Sequence, residues 1–266
     1  MTTGRGVRSW TGGPATERAD CVLAPNPSPM TLEGTNTWVL AEPGSELAVV
    51  VDPGPLHEAH LQAVLRRVAD AGRRVALVLL THAHADHAEG ADRFAELSGA
   101  PVRAFGRGHD DVRPGELLRV GGLELVATAT PGHTSDSFSF VLPAETSLLT
   151  GDTVLGRGTT VVAWPDGHLE SYLESLRRIE DMAANGAVTT LLPGHGPVRR
   201  DAAAAVGFYL RHRAERLEQV RHARDQGAHT AYDVVQQVYA DVPREVWPAA
   251  ELSVQAQLEY LRTHEP

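Results

Sequence analysis

The stretch THAHADH, residues 81–87, places His82, His84, Asp86 and His87 within six positions, directly after the apolar run RVALVLL at 74–80. So many lone-pair side chains in so short a span point to a metal. Imidazole nitrogens and carboxylate oxygens suit Zn2+ or another borderline cation, with about four ligands per ion. On an extended loop, His82 and His84, two apart, face one side, and Asp86 and His87 another, so that each of two ions receives a pair of donors. Four more residues follow apolar, β-like segments: Asp52 in VDPG, His133 in PGHT, Asp152 in GD and His195 in PGHG. Loops at strand ends are where a rigid scaffold presents polar groups, and the glycines beside His133, Asp152 and His195 allow the sharp turns that convergence needs. His133 is expected to complete the first donor set, His195 the second, and Asp152 to bridge the two. Asp52 is expected to order the loop by hydrogen bonds rather than to ligate. Two ions ~3.5–4 Å apart activate water for attack on a carbonyl carbon or a phosphorus. Asp86, a ligand with a spare oxygen, is expected to orient the attacking water and take its proton. The expected cofactor is two Zn2+, although Mn and Fe ions accept the same ligands.

The elements that must position these groups can be read from periodicity. WVLA (38–41) and LAVVV (47–51) read as strands across the turn EPGS. Residues 57–72 carry apolar side chains at 61, 64, 65 and 68, a helical spacing closed by glycine. RVALVLL is apolar throughout and reads as a central strand, followed by a helix at about 88–98. Short strands follow at 101–105, 116–120, 123–130, 137–142 and 146–150, then a helix at 168–185 and a strand at 188–193. PNPSPMTLEGTNT (25–37) reads as loop. From 202 onward the pattern is helical, over 202–226, 230–240 and 246–262, with breaks at Gly227 and Pro243. Residues 1–18, rich in Gly, Thr and Arg, are expected to be poorly ordered.

Bulk properties narrow the chemistry. The chain has 266 residues, enough for one large α/β domain and a small appendage. All 24 basic residues are Arg, so mechanisms that need a lysine are excluded. The net charge of −10 opposes broad, non-specific binding to nucleic acid. The single cysteine, Cys21, has no disulfide partner within the chain and reads as an inert small residue of a reducing compartment. No apolar run approaches the ~20 residues of a membrane span and no secretory signal is present, so the expected location is the cytoplasm. The remaining histidines (57, 60, 109, 168, 212, 222, 229 and 264) read as ordinary surface residues.

Taken in order over residues 50–196, an acid after an early strand, H-x-H-x-D-H, a later His, an Asp and a last His resemble the metallo-β-lactamase-fold hydrolases. The resemblance implies an α/β fold: a four-layer αβ/βα sandwich of two mixed sheets, helices outside, and metals in a cleft along one edge. EGTNTWVL (33–40), TPGHTSDS (130–137), GDTVLGRGTTV (151–161), LPGHGPV (192–198) and YLRHRAERLEQV (209–220) are similar to the beta-lactamase-like protein 2 group. In that group a small winged-helix-type domain follows the hydrolase, which implies a hydrolase domain at 19–201 and an all-helical, winged-helix-like domain at 202–266.

The group also implies activities. Its animal members are zinc-dependent endoribonucleases on single-stranded RNA, and similar proteins of polyketide pathways are thioesterases acting on carrier proteins. By resemblance alone, a phosphodiesterase on single-stranded RNA stands slightly ahead of a thioester or lactone hydrolase of glyoxalase II or acyl-carrier type. A mononuclear iron persulfide oxygenase is third, opposed by the full second donor set of Asp86, His87 and His195. The appendage is not basic and shows no β-wing, which weighs against RNA because phosphate contacts dominate such affinity. Antibiotic hydrolysis is not expected, since true β-lactamases of this fold generally lack the bridging Asp. Asn36 and Thr37 are candidates to border the substrate cleft; a loop-stabilising Asx turn is an equal reading. The apolar faces of the C-terminal helices are expected to pack on the hydrolase domain and narrow the cleft.

Overall fold

The computed structural model describes residues 9–106 and 108–264. Strands β1 (Gly13–Pro14), β2 (Ala19–Leu23), β3 (Asn36–Leu40), β4 (Leu47–Val51), β5 (Arg74–Leu79), β6 (Val102–Ala104) and β7 (Asp110–Asp111) form one sheet in that spatial order. Pairing is antiparallel from β1 to β4 and parallel from β4 to β7. The second sheet contains β8 (Leu117–Val120), β9 (Leu123–Ala129), β10 (Phe138–Leu142), β11 (Ser147–Gly151) and β12 (Thr190–Pro193), in the order β12-β11-β10-β9-β8. Only β11 and β12 run parallel in it. Helices α1 (Glu58–Asp70), α2 (Ala85–Ala88) and α3 (Ala91–Ser98) belong to the first half of the chain, and α4 (Leu169–Ala184) to the second.

The period-2 alternation of strand side chains explains why these apolar runs make four layers rather than two. Trp38 and Leu40, Val49 and Val51, and Leu77 and Leu79 meet Leu125, Phe138, Phe140, Leu149 and Leu192 between the sheets. The intervening Val39, Val50 and Val78 turn outward to Leu61, Val64 and Val68 of α1 and Phe94 of α3. On the far face, Leu148 and Leu191 pack against Tyr172, Leu176 and Ile179 of α4. Strands buried on both faces are apolar throughout, as the sequence of β4 and β5 requires.

From residue 202 the described residues contain helices and no strand: α5 (Ala202–Asp225), α6 (Ala231–Val238) and α7 (Trp247–His264). Asp201 caps α5 through the Ala204 amide, and Thr230 and Asp233 cap α6 reciprocally. Val206, Tyr209, Leu217, Val234, Val254 and Leu261 share one buried cluster with α4 and the second sheet. The helical region therefore has no core separate from the two-sheet sandwich. No helix among the described residues is long and apolar enough to cross a membrane.

Two expectations are corrected. Residues 1–8 lie outside the described residues, but 9–18 are held in place and include β1. Trp10 Nε1 donates to Asn36 Oδ1 (2.8 Å), Arg18 pairs with Glu42 (2.6 Å), and the Arg18 amide donates to Glu145 (2.8 Å). These are long-range contacts that composition does not reveal. The helix expected at 88–98 is two helices broken at Gly90. Its amide donates to Gly54 O at 2.9 Å, and a Cβ there would meet that oxygen and Leu61 Cδ2 at 2.9 and 3.0 Å. The chain must pass close to the Asp52–Gly54 loop, which only glycine permits. Asp86 and His87 sit on the short helix α2, not on an extended loop.

Candidate metal centre

Thr81 to His87 follow β5, Asp52 follows β4, His133 follows β9, Asp152 follows β11 and His195 follows β12. The sheets close together at this edge: Phe138 N donates to Thr81 O and Asn36 N to Gly194 O, both at 2.7 Å. Donor atoms of His82, His84 and His133 lie within 4.8 Å of one another, as do those of Asp86, His87 and His195, and a third group joins His82, His87 and Asp152. Thus the structure brings together all seven residues expected as ligands. Asp152 lies between the two sets: its oxygens are 3.4 Å from His87 Nε2, 3.3 Å from His195 Nε2 and 3.7 Å from His133 Nε2.

Hydrogen bonds set which nitrogen of each ring faces inward. His133 Nδ1 donates to Val161 O (2.7 Å), His195 Nδ1 to Gly34 O (3.1 Å) and His87 Nδ1 to Asp52 Oδ2 (2.9 Å). The Thr81 hydroxyl donates to Asp52 Oδ2 (2.7 Å) and so accepts from His82 Nδ1 (3.0 Å). All four rings then turn Nε2 toward the centre. His84 presents Nδ1 instead, 3.1 Å from His82 Nε2 and 3.0 Å from His133 Nε2. Donors ~2.0–2.1 Å from a tetrahedral ion stand about 3.3 Å apart, close to these separations. Asp152 Oδ1 is buried with no hydrogen-bond partner among the described residues, as a carboxylate oxygen reserved for a cation would be. The residues therefore fit a divalent metal.

Electrostatics follow the same layout. Burial opposes charge on His87, but the carboxylates of Asp152, Asp52 and Asp86 outweigh it and hold its pKa well above the ordinary value. Burial likewise opposes charge on His195, yet Asp152 and Asp86 raise it to about 9. Against the pull of burial, His87 and His195 lower Asp86 to about 2, and His195 and His87 hold Asp152 well below the carboxylate range. On the other side, burial and neighbouring imidazoles drive His82 well below 6.5 and lower His133.

Asp52 lies outside the donor sets. Its backbone is left-handed (φ 53°), and it accepts from the Thr81 amide, the Thr81 hydroxyl and His87. Asn36 and Thr37, the candidates for the cleft border, are instead fully buried. Asn36 Nδ2 donates to Pro193 O and Gly196 O, both at 2.9 Å, and Thr37 Oγ1 bonds His60 Nε2 at 2.9 Å. They fasten the His195 loop and α1 to β3. His60, expected on the surface, is buried here, and burial together with nearby His57 pushes it down to about 4. The residue of this segment that reaches the centre is Thr35. Its hydroxyl donates to Asp86 Oδ2 at 3.1 Å and accepts from Asn26 Nδ2 at 3.0 Å. Thr35 and Thr81 escaped the sequence reading because a threonine beside a motif carries no signal of its own.

The metallo-beta-lactamase superfamily model matches residues 30–110 and 104–195, and the beta-lactamase associated winged helix domain model matches 230–265. The Beta-lactamase-like protein 2 homolog of Caenorhabditis elegans is 35% identical over 86% of this chain and 79% of its own length. The Atrochrysone carboxyl ACP thioesterase of Aspergillus fumigatus is 32% identical over 85% of this chain and 74% of its own. A beta-lactamase domain protein from Burkholderia ambifaria superposes with a TM-score of 0.80 at 22% identity, over 97% of this chain and 92% of its own, which shows a shared fold.

Proposed function

The chain belongs to the metallo-β-lactamase superfamily and is a metal-dependent hydrolase, and from that premise we propose that it is a two-zinc hydrolase of apolar thioesters. The observation that carries this reading is the wall of the cleft. A cavity of about 470 Å³ opens over His84, Asp86, His133, Asp152 and His195. Its sides are Met30 and Leu32, Leu155, Val161 and Ala163, and Val246, Ala249 and Leu252 from the helical region. The one guanidinium among its lining residues, Arg157, is paired with Glu33. Such a wall suits an acyl chain, whereas a run of phosphates needs unpaired cations. RNA, slightly ahead on resemblance, is thereby the weaker reading. The thioesterase named among the relatives supports the thioester.

When bound, two divalent cations supply Lewis acidity toward a carbonyl oxygen and toward water. His82, His84 and His133 would hold one, and Asp86, His87 and His195 the other, with Asp152 shared. Asp86 is the carboxylate with an open path to the cavity, its side chain 28% exposed. Thr35 fixes its Oδ2, so Asp86 orients the attacking water and accepts its proton. The apolar walls exclude bulk water and align the acyl group. Beyond these donors and Arg157, the lining holds no titratable side chain among the described residues to act as an acid. A thiol of pKa ~8.5 leaves as thiolate without one, while an alkoxide from RNA would need protonation.

The test measures metal content, turnover of an acyl thioester and cleavage of a fluorescent single-stranded RNA on one preparation, with Asp86→Ala as control. Thioester hydrolysis that disappears in the variant supports the reading. RNA cleavage that disappears in the variant, with no thioester turnover, overturns it.

A further inference from the structure

Beside the cavity over the metal centre, at Ala249, lies a second chamber of about 160 Å³. The two share Met30, Thr159, Thr160, Val161, Val246 and Ala249. The chamber lies between the 159–161 loop, α5 and the stretch from Tyr239 into α7, and its charged lining consists of Arg213 and Arg216, with His212 beside them. Among the described residues no carboxylate lines it, in a chain whose net charge is −10.

Neither arginine is neutralised. Arg213 is 4% exposed; its Nη2 donates to Thr160 O at 2.5 Å and its guanidinium lies over the Tyr172 ring at 5.1 Å. Its Nε has no hydrogen-bond partner among the described residues, a costly state for a buried charged donor. Arg216 stacks on Tyr239 at 4.6 Å and donates only to neutral acceptors, Gln219 Oε1 (2.8 Å) and Val238 O (3.2 Å). His212 reports the resulting field: burial, then Arg213 and Arg216, lower its pKa to about 4. An orphaned buried guanidinium N–H, a second arginine without an acid among the described residues, and six lining residues shared with the catalytic cavity together describe a place for an anion.

We propose that this chamber is the anion-binding end of the substrate site. It takes a carboxylate or phosphate carried on an apolar substrate whose scissile carbonyl lies over the metal centre. The assignment rests on the thioester reading above for the reaction, but not for the binding. A planar guanidinium suits either anion bidentately. Ala249, at the junction of the two spaces, sets what passes between them.

The test compares three thioesters on the metal-loaded, full-length protein. They are octanoyl-N-acetylcysteamine, its analogue with a terminal carboxylate on the acyl chain, and octanoyl phosphopantetheine, which carries the anion on the thiol side. One anionic substrate is expected to exceed the neutral one in kcat/KM by about tenfold, and which one does so identifies the source of the anion. Arg216→Gln collapses that ratio toward one, Arg216→Lys restores part of it, and Ala249→Phe, which fills the junction, also collapses it. Calorimetric titration with suberate and with phosphopantetheine gives a readout without turnover. Binding of one of them that weakens about tenfold in Arg216→Gln supports the chamber even if no thioester is hydrolysed, in which case only the reaction assignment falls. Thioester turnover with equal kcat/KM for all three substrates, or an anion preference unchanged in Arg216→Gln, overturns the chamber and leaves the thioesterase reading standing.

Discussion

Replacing Gly194 by alanine tests whether the centre is built to sub-ångström tolerance. Gly194 is not among the residues with positive φ, so the backbone itself accepts alanine. Space does not: a Cβ there would stand 2.4 Å from Asp152 Oδ1 and 2.7 Å from His87 Cε1. Reaching ordinary contact requires Asp152 to withdraw by about 1 Å and His87 by somewhat less. His87 is fully buried and tied to Asp52, so it has nowhere to go. Overpacking of this kind costs ~1–3 kcal/mol, and a misplacement of ~1 Å at a reacting centre costs ~10²-fold in rate. The expected result is a lower Tm, loss of metal in elemental analysis, and kcat/KM reduced by about two orders of magnitude. Gly207→Ala is the control. It sits inside α5, where the new Cβ would meet only the mobile end of Arg211 at 3.3 Å, and alanine there should stabilise by ~0.5–1 kcal/mol. Wild-type metal content and rate in Gly194→Ala, or equal destabilisation by the two substitutions, would refute the reasoning.

Asp52→Asn removes the carboxylate that holds His87 and Thr81. Metal affinity should fall ~10–100-fold in chelator competition, with ~1–3 kcal/mol lost in denaturant unfolding. Thr35→Val keeps the volume but strips the hydroxyl from Asp86; kcat should drop about tenfold at unchanged KM, with Thr35→Ser restoring it. The metal-free chain should also depend on pH in a definite direction. The folded pKa of His195 is raised from 6.5 to about 9, so its pairing with Asp152 and Asp86 stabilises fully below 6.5 and is lost as pH rises through 9. Asp86 is lowered from 3.8 to about 2, so its contribution is present above 3.8 and is lost as pH falls through 2. Chemical unfolding of the metal-free protein from about pH 2 to 10 checks both limbs. Metal binding at pH 7 must displace a proton from each of His87 and His195, so about two should be released and affinity should rise toward pH 9. Calorimetry in buffers of different ionisation enthalpy would expose the absence of such release.

The expectation that seven side chains converge could be drawn from residue types and strand-end positions alone, and the structure brings those side chains together. His82, His84, Asp86, His87, His133, Asp152 and His195 are recognisable because ligand chemistry depends on what a side chain is and on the apolar segment before it. The sandwich was implied by the resemblance that those residues carry, and runs such as LAVVV, buried on both faces, agree with it. Tertiary structure decided what residues far apart in sequence do to one another. It put Thr35 against Asp86, 51 positions away, and turned the neighbouring Asn36 and Thr37 into the interior. A one-residue change of register on a strand reverses which side chain faces the site, and no local pattern announces the register. It put Asp86 and His87 on the short helix α2, which ends before Gly90 passes close to Gly54. It merged the C-terminal helices with the core of the second sheet and left Arg213 and Arg216 facing a space with no acid among the described residues. On the linear chain those arginines read as a solvated, mixed-charge face. Packing of α5 against the 159–161 loop removes Arg213 from water and leaves Arg216 half-buried beside it, and burial is what turns an ordinary charge into a binding group.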